Sequence, residues 1–157
     1  MTLFDAPNSS EKSGKTLILQ FDGGSRGNPG PAGVGVTLQD QGGKIVYELG
    51  EFLGTCTNNV AEYTGLLRGL AAAVKLGAKK VIIRADSELV VRQIKGIYKV
   101  KSPDLKPLYE KAIGLIKQIP EVDVGHVYRE GNSRADALAN IAMDKRTKVE
   151  PLGALAS

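Results

Sequence analysis

Thr16–Gln39 reads TLILQFDGGSRGNPGPAGVGVTLQ, and the fold turns on how it is parsed. Thr16 to Asp22 is an apolar, β-rich run that stops at Gly23-Gly24. Ala32 to Gln39 alternates through Val34, Val36 and Leu38, the period-two pattern of a strand with one buried face. Between them, Gly23 to Gly33 predicts a flexible, glycine-rich connection. Gln41-Gly42-Gly43 is a turn signal, and Lys44 to Leu53 follows as a third strand. Strands this close in sequence predict an antiparallel meander.

Past the meander the period changes. Val60, Tyr63, Leu67, Leu70 and Val74 recur at spacings of three and four, which predicts a helix over Asn59–Leu76 ended by Gly77. Lys80 to Asp86 is a short strand and Ser87 to Ile94 a short helix. Leu105 to Ile119 is a second long helix, stopped by Pro120. Val122 to Tyr128 alternates as a strand, and Asn132 to Met143 closes as a helix. The order βββαβααβα predicts an α/β domain with a mixed sheet and helices packed on it. Residues 1–14 are polar and read as a disordered arm, 15–144 as the domain, and 145–157 as a loose tail.

The chain has 157 residues, enough for one domain with its own core. No stretch approaches the roughly 18 apolar residues of a membrane span, so no membrane partner is expected. The N-terminus lacks the basic and apolar regions of a secretory signal. Cys56 is the only cysteine, so no internal disulfide can form, and the cytoplasm is the expected compartment. A monomer is expected. Basic residues exceed acidic ones, 21 to 17, for a net charge of +4, which suits a polyanionic partner without requiring one.

Four acids stand at element boundaries, each with a plain structural reading. Asp22 ends a strand before Gly-Gly, where turn-forming Asp is common. Asn59-x-x-Glu62 and Ser133-x-x-Asp136 both match capping boxes. Asp86 precedes a helix and could cap it. Taken together the four share a pattern, two at strand ends and two in first helical turns. If the strands carrying Asp22 and Asp86 are parallel neighbours, both acids lie on the sheet edge where α/β proteins bind ligands. Carboxylates gathered there would repel unless a cation bound between them, and all-oxygen donors favour Mg²⁺ or Mn²⁺. The glycines of the Gly23–Gly33 loop would let a ligand backbone come close. Arg26 and Asn28 within it, and Asn58-Asn59 at the next helix, could serve a phosphate or a sugar edge. Ser13-Gly14-Lys15-Thr16 has the ending of a phosphate-binding P-loop, but Ser9 stands where that loop needs its first glycine.

The blocks FDGGSRGNPGPAGVG, TNNVAEYTGLLRGL, ADSELVVRQI and NSRADALAN, in this order, resemble the signature blocks of type 1 ribonuclease H across residues 16–143. The resemblance implies the ribonuclease H-like fold, a five-stranded mixed sheet flanked by helices. It implies hydrolysis of the RNA strand of an RNA–DNA hybrid with two Mg²⁺ or Mn²⁺ ions, leaving 5′-phosphate and 3′-hydroxyl ends. Asp22, Glu62, Asp86 and Asp136 match the metal-binding acids. The resemblance puts Asp22 on both metals, Asp86 and Asp136 on the side of the attacking water, and Glu62 on the side of the leaving 3′ oxygen. Asn28, Asn58 and Asn59 match minor-groove contacts to the hybrid, beside Gly23, Gly24, Ser25 and Arg26. Ser87 and Gln93 match lesser substrate-side positions. Related activity on double-stranded RNA, or a non-catalytic binding module, are the alternatives.

Two features depart from the family pattern. Many members carry a histidine in the loop before the last acid. Here Arg129-Glu130-Gly131-Asn132 holds none, and Arg129 or Glu130 is left to fill the role. His126, the single histidine, falls in phase with Val122 and Val124 and is expected to be structural. Gly96 to Pro103 is short and lacks the tryptophan-bearing basic handle of some members, leaving Lys95, Lys99 and Lys101 as a modest substitute.

Overall fold

A computed structural model describes residues 15–151. The expected arm, residues 1–14, and positions 152–157 of the expected tail lie outside the described residues. The elements are β1 (Thr16–Ser25), β2 (Gly30–Gln39), β3 (Ile45–Cys56), α1 (Asn58–Lys75), β4 (Lys80–Ala85), α2 (Glu88–Ile94), α3 (Lys106–Ile116), β5 (Glu121–His126), a 3₁₀ turn over Arg129–Asn132, and α4 (Ser133–Lys145). The sheet has five strands in the order β3-β2-β1-β4-β5. β1, β2 and β3 pair antiparallel, while β1 with β4 and β4 with β5 pair parallel. The mixed sheet flanked by helices is therefore as the sequence pattern and the resemblance imply.

β1 and β2 differ from the expectation. β1 runs through Gly23 and Gly24 to Ser25, pairing them with Val34, Gly33 and Ala32. The long flexible loop shrinks to a hairpin tip at 26–29, with a cis Asn28-Pro29 bond. Most of these glycines serve close packing instead. A Cβ on Gly23 would stand 2.6 Å from the backbone nitrogen of Glu62 in α1. One on Gly35 would overlap the carbonyl oxygen of Ala135 and stand 2.8 Å from the Ala139 nitrogen, both in α4.

The two helices grip opposite faces of the sheet. Leu19 and Phe21 of β1, with Val36 and Leu38 of β2, lie in the core under α1 with Tyr63, Leu66 and Leu70. Side chains alternate along a strand, so Asp22 and its cross-strand partner Gly35 share the other face, the one α4 covers. Bidentate pairs fasten β3 to both helices, Glu48 to Arg134 of α4 and Glu51 to Arg68 of α1. The stretch after Lys145 is not wholly loose as expected. Thr147 and Val149 hydrogen-bond the outer edge of β3 at Phe52 and Gly50, satisfying backbone groups that an edge strand otherwise leaves open. No helix among the described residues is long and apolar enough to cross a membrane.

Candidate active site

The parallel β1–β4 ladder ends at the pair Phe21–Ala85. Asp22 and Asp86 follow these residues directly, so strand register alone puts the two acids side by side at one edge of the sheet. Glu62 arrives from α1. Thr57 caps that helix through the Val60 N–H. Freed from the expected capping box, the Glu62 carboxylate accepts the Gly23 N–H at 3.0 Å. The close approach at Gly23 permits this bond. Carboxylate oxygens of Asp22, Glu62 and Asp86 lie within 4.8 Å of one another.

The other capping readings also fail. Ser87, not Asp86, caps α2, accepting the Val90 N–H at 3.3 Å. Ser133 is already helical, so it is not the cap that a Ser133–Asp136 box needs. Asp136 instead lines a cavity of about 360 Å³ that also takes in Asp22, Gly23, Arg26, Asn58 and Glu62. Asp22 is 7% exposed. Acids facing one cavity, one of them buried, make a set whose charge needs a counter-ion. Their carboxylate oxygens suit a hard divalent cation rather than zinc.

The polar residues around the acids sort into engaged and presenting groups. The Asn58 amide oxygen accepts both the Ser25 N–H (2.8 Å) and the Ser25 hydroxyl (3.1 Å), and the Asn28 amide oxygen accepts the Asn58 N–H (3.0 Å). With both oxygens occupied, the NH₂ ends of Asn28 and Asn58 are the groups left to donate. Asn59 is exposed beside them. Arg26 is held by α4, bonding Asp144 at 2.7 Å and the Asn140 oxygen at 3.3 Å. Asn140 and Asp144 were not singled out from sequence, and only their spacing of four on one helix face hints at the pairing.

Gln93 corrects the sequence reading. It is 5% exposed, and its amide oxygen accepts the Tyr63 hydroxyl at 2.6 Å, so it ties α2 to α1 within the core instead of facing a substrate. His126 ends its strand as a surface residue. β5 is an edge strand that ends at this residue, and its imidazole is exposed, 5.7 Å edge-on from the exposed Tyr128 ring. It pairs with Ala85 and keeps step with Val122 and Val124, so it lies on the sheet face that carries the α1 core, not on the face that carries Asp22. Arg129 opens the 3₁₀ turn, and its side chain lies outside the described residues.

A family model described as "Reverse transcriptase-like" matches residues 20–142. A ribonuclease H of Pseudomonas fluorescens is 33% identical over 144 residues, covering 83% of this chain and 92% of that one. The chain belongs to the type 1 ribonuclease H family. Within the family it is also 48% identical over 129 residues to the bifunctional protein Rv2228c of Mycobacterium tuberculosis, covering 82% of this chain and 35% of that one. The chain thus spans about a third of the length of such curated relatives. Among ribonuclease H structures, that of LC11-RNase H1 in complex with an RNA/DNA hybrid matches with a TM-score of 0.80 and 44% identity, covering 83% of this chain and 98% of that one.

Proposed function

We propose that this chain is an endoribonuclease that hydrolyses the RNA strand of RNA–DNA hybrids, leaving 5′-phosphate and 3′-hydroxyl ends. The observation that carries the reading is the approach of Asp22, Glu62 and Asp86 oxygens to within 4.8 Å at the edge of a family-typical sheet, with Asp136 on the same cavity. The hybrid in the LC11-RNase H1 complex supports the substrate class.

Asp22, Glu62, Asp86 and Asp136 would hold two Mg²⁺ or Mn²⁺ ions, which when bound polarise the scissile phosphate and favour hydroxide at neutral pH. The remaining chemistry belongs to the protein. Asp22, fixed in mid-strand, gives the site its rigid reference point. Gly23 orients the Glu62 carboxylate through its N–H. Asn28 and Asn58 turn NH₂ donors toward the cleft, suited to the 2′-hydroxyl oxygens and minor-groove acceptors of the RNA strand. Asn59 and the open backbone at Gly24 extend that surface. Ser25 acts behind Asn58 rather than on the substrate, since both its donors are engaged there. The DNA strand is recognised by shape and backbone, with Lys95, Lys99 and Lys101 on its path. Arg129 or Glu130, in the turn that follows β5, would take the place of the loop histidine beside the departing end. The protein acts as a cytoplasmic monomer.

The deciding experiment incubates the protein with end-labelled hybrid, duplex RNA and duplex DNA, each with Mg²⁺ or Mn²⁺, and identifies the product ends. Selective cleavage of the hybrid RNA supports the reading. Binding without cleavage makes the chain a recognition module, and cleavage of duplex RNA makes it a broader nuclease.

A further inference from the structure

We infer that Asn132 is a positioning residue that locks the acid of β1 to the acid of α4, and so sets the affinity of the site for its divalent cation. The inference rests on the metal-site reading above and extends it to a residue outside the acid cluster.

Asn132 is 2% exposed, an unusual burial for an amide side chain at the start of a helix. It does not cap α4 with its side chain. Its Nδ2 instead donates to the carbonyl oxygen of Phe21 at 2.7 Å, across 111 positions of sequence. Phe21 is where the β1–β4 ladder gives out, and the next residue is Asp22. Four residues after Asn132, on the first turn of α4, comes Asp136. A single hydrogen bond therefore connects the backbone carrying one acid to the helix carrying another.

A second bond runs beside it. The Gln20 side-chain amide donates to the Gly131 carbonyl oxygen, so β1 holds the 131–132 backbone at two successive points. By contrast, the Oδ1 of Asn132 is buried with no hydrogen-bond partner among the described residues. An apolar residue would fill this place without leaving a polar atom unpaired. The amide is retained for what its other half does, which is to hold Phe21.

The position also explains why the clamp bears on metal binding. Asp22 and Asp136 face one cavity from different elements, and their spacing is fixed only as well as β1 and α4 are fixed to each other. Groups that hold metal ligands in place commonly change affinity by about ten- to a hundredfold when removed. The sequence pattern carries no sign of this, since Asn132 reads there simply as the polar first residue of the last helix.

The test uses the intact chain and reads metal binding directly. Mn²⁺ is titrated into Asn132→Ala, Asn132→Ser and Gln20→Ala, following free Mn²⁺ by electron paramagnetic resonance, with circular dichroism and melting curves alongside. The expected result is a roughly tenfold weaker Mn²⁺ affinity for the Asn132 variants and a two- to threefold weaker one for Gln20→Ala, with native spectra. Hybrid binding without metal stays as in wild type. Wild-type Mn²⁺ affinity in a folded Asn132 variant overturns the inference. Should both Asn132 variants fail to fold, unchanged affinity in Gln20→Ala overturns it equally. Asp22→Asn serves as the control: if it too binds Mn²⁺ normally, the metal-site reading itself has failed.

Discussion

Gly35 lies so close beneath Ala135 that a methyl group on it would overlap the Ala135 carbonyl oxygen. The contact is backbone against backbone, so no side chain can swing aside to relieve it. It seats α4 on β2 directly beside Asp22, the cross-strand partner of Gly35. Gly35→Ala should push α4 outward. The expected loss is about 1–3 kcal/mol of stability, as for overpacked cores. Cleavage should fall further than stability does, because Asp136 moves with the helix. Urea unfolding and hybrid cleavage on the same sample check this, and wild-type values in both would show that the close approach is not needed.

Asp22→Asn and Asp86→Asn should each reduce hybrid cleavage at least a thousandfold, about 4 kcal/mol in barrier. Each swap keeps side-chain size while removing a charge from the acid cluster, so melting temperature should hold or rise. A variant that cleaves at near wild-type rate would remove that acid from the mechanism.

His126→Ala should leave stability unchanged, since the ring is exposed and meets the exposed Tyr128 ring edge-on. Cleavage should stay within about tenfold of wild type, roughly 1.4 kcal/mol in barrier, because the ring lies on the sheet face away from Asp22. Single-turnover rates measured beside steady-state rates separate the chemical step from product release. A thousandfold loss in either would make His126 part of the chemistry.

Tyr63→Phe should destabilise the fold by about 1–3 kcal/mol, because the Gln93 oxygen is then buried without its donor. Burial, with a lesser contribution from Tyr109, raises the Tyr63 phenol well above its ordinary value of 10.0. The folded form keeps this proton at a pH where the unfolded chain has released it. The contribution is therefore complete below pH 10 and is lost as pH climbs toward the folded value. Wild type should weaken more steeply than Tyr63→Phe across that alkaline range. Parallel slopes in alkaline denaturation would show that another group is responsible.

The element order βββαβααβα was legible because each long element carries an unbroken period and ends at Gly, Pro or a cap. The four acids were legible because each stands beside a local signal, a Gly-Gly pair or the start of a helix. What stayed hidden depends on partners distant in the chain. Gly23 and Gly24 look like a strand terminator, yet β1 continues through them because their neighbours are α1 and the β2 strand. Gln93 lies on a helix of seven residues, too short for periodicity to tell its inner face from its outer one. His126 keeps step with Val122 and Val124, but alternation cannot reveal that the strand stops there, at the sheet's margin. The clamp from Asn132 to Phe21 leaves no local trace at all.

Arg26 at the mouth of the cleft is paired with Asp144 in a solvent-exposed ion pair, which tempers its charge without fixing it. A phosphate that met Arg26 from the same side would compete with that carboxylate, so docking there is in part an exchange of anions. The trade returns little net attraction, yet it leaves Asp144 unmasked beside an incoming polyanion. The hairpin tip therefore adds less to the grip on a polyanion than the charge of Arg26 alone suggests.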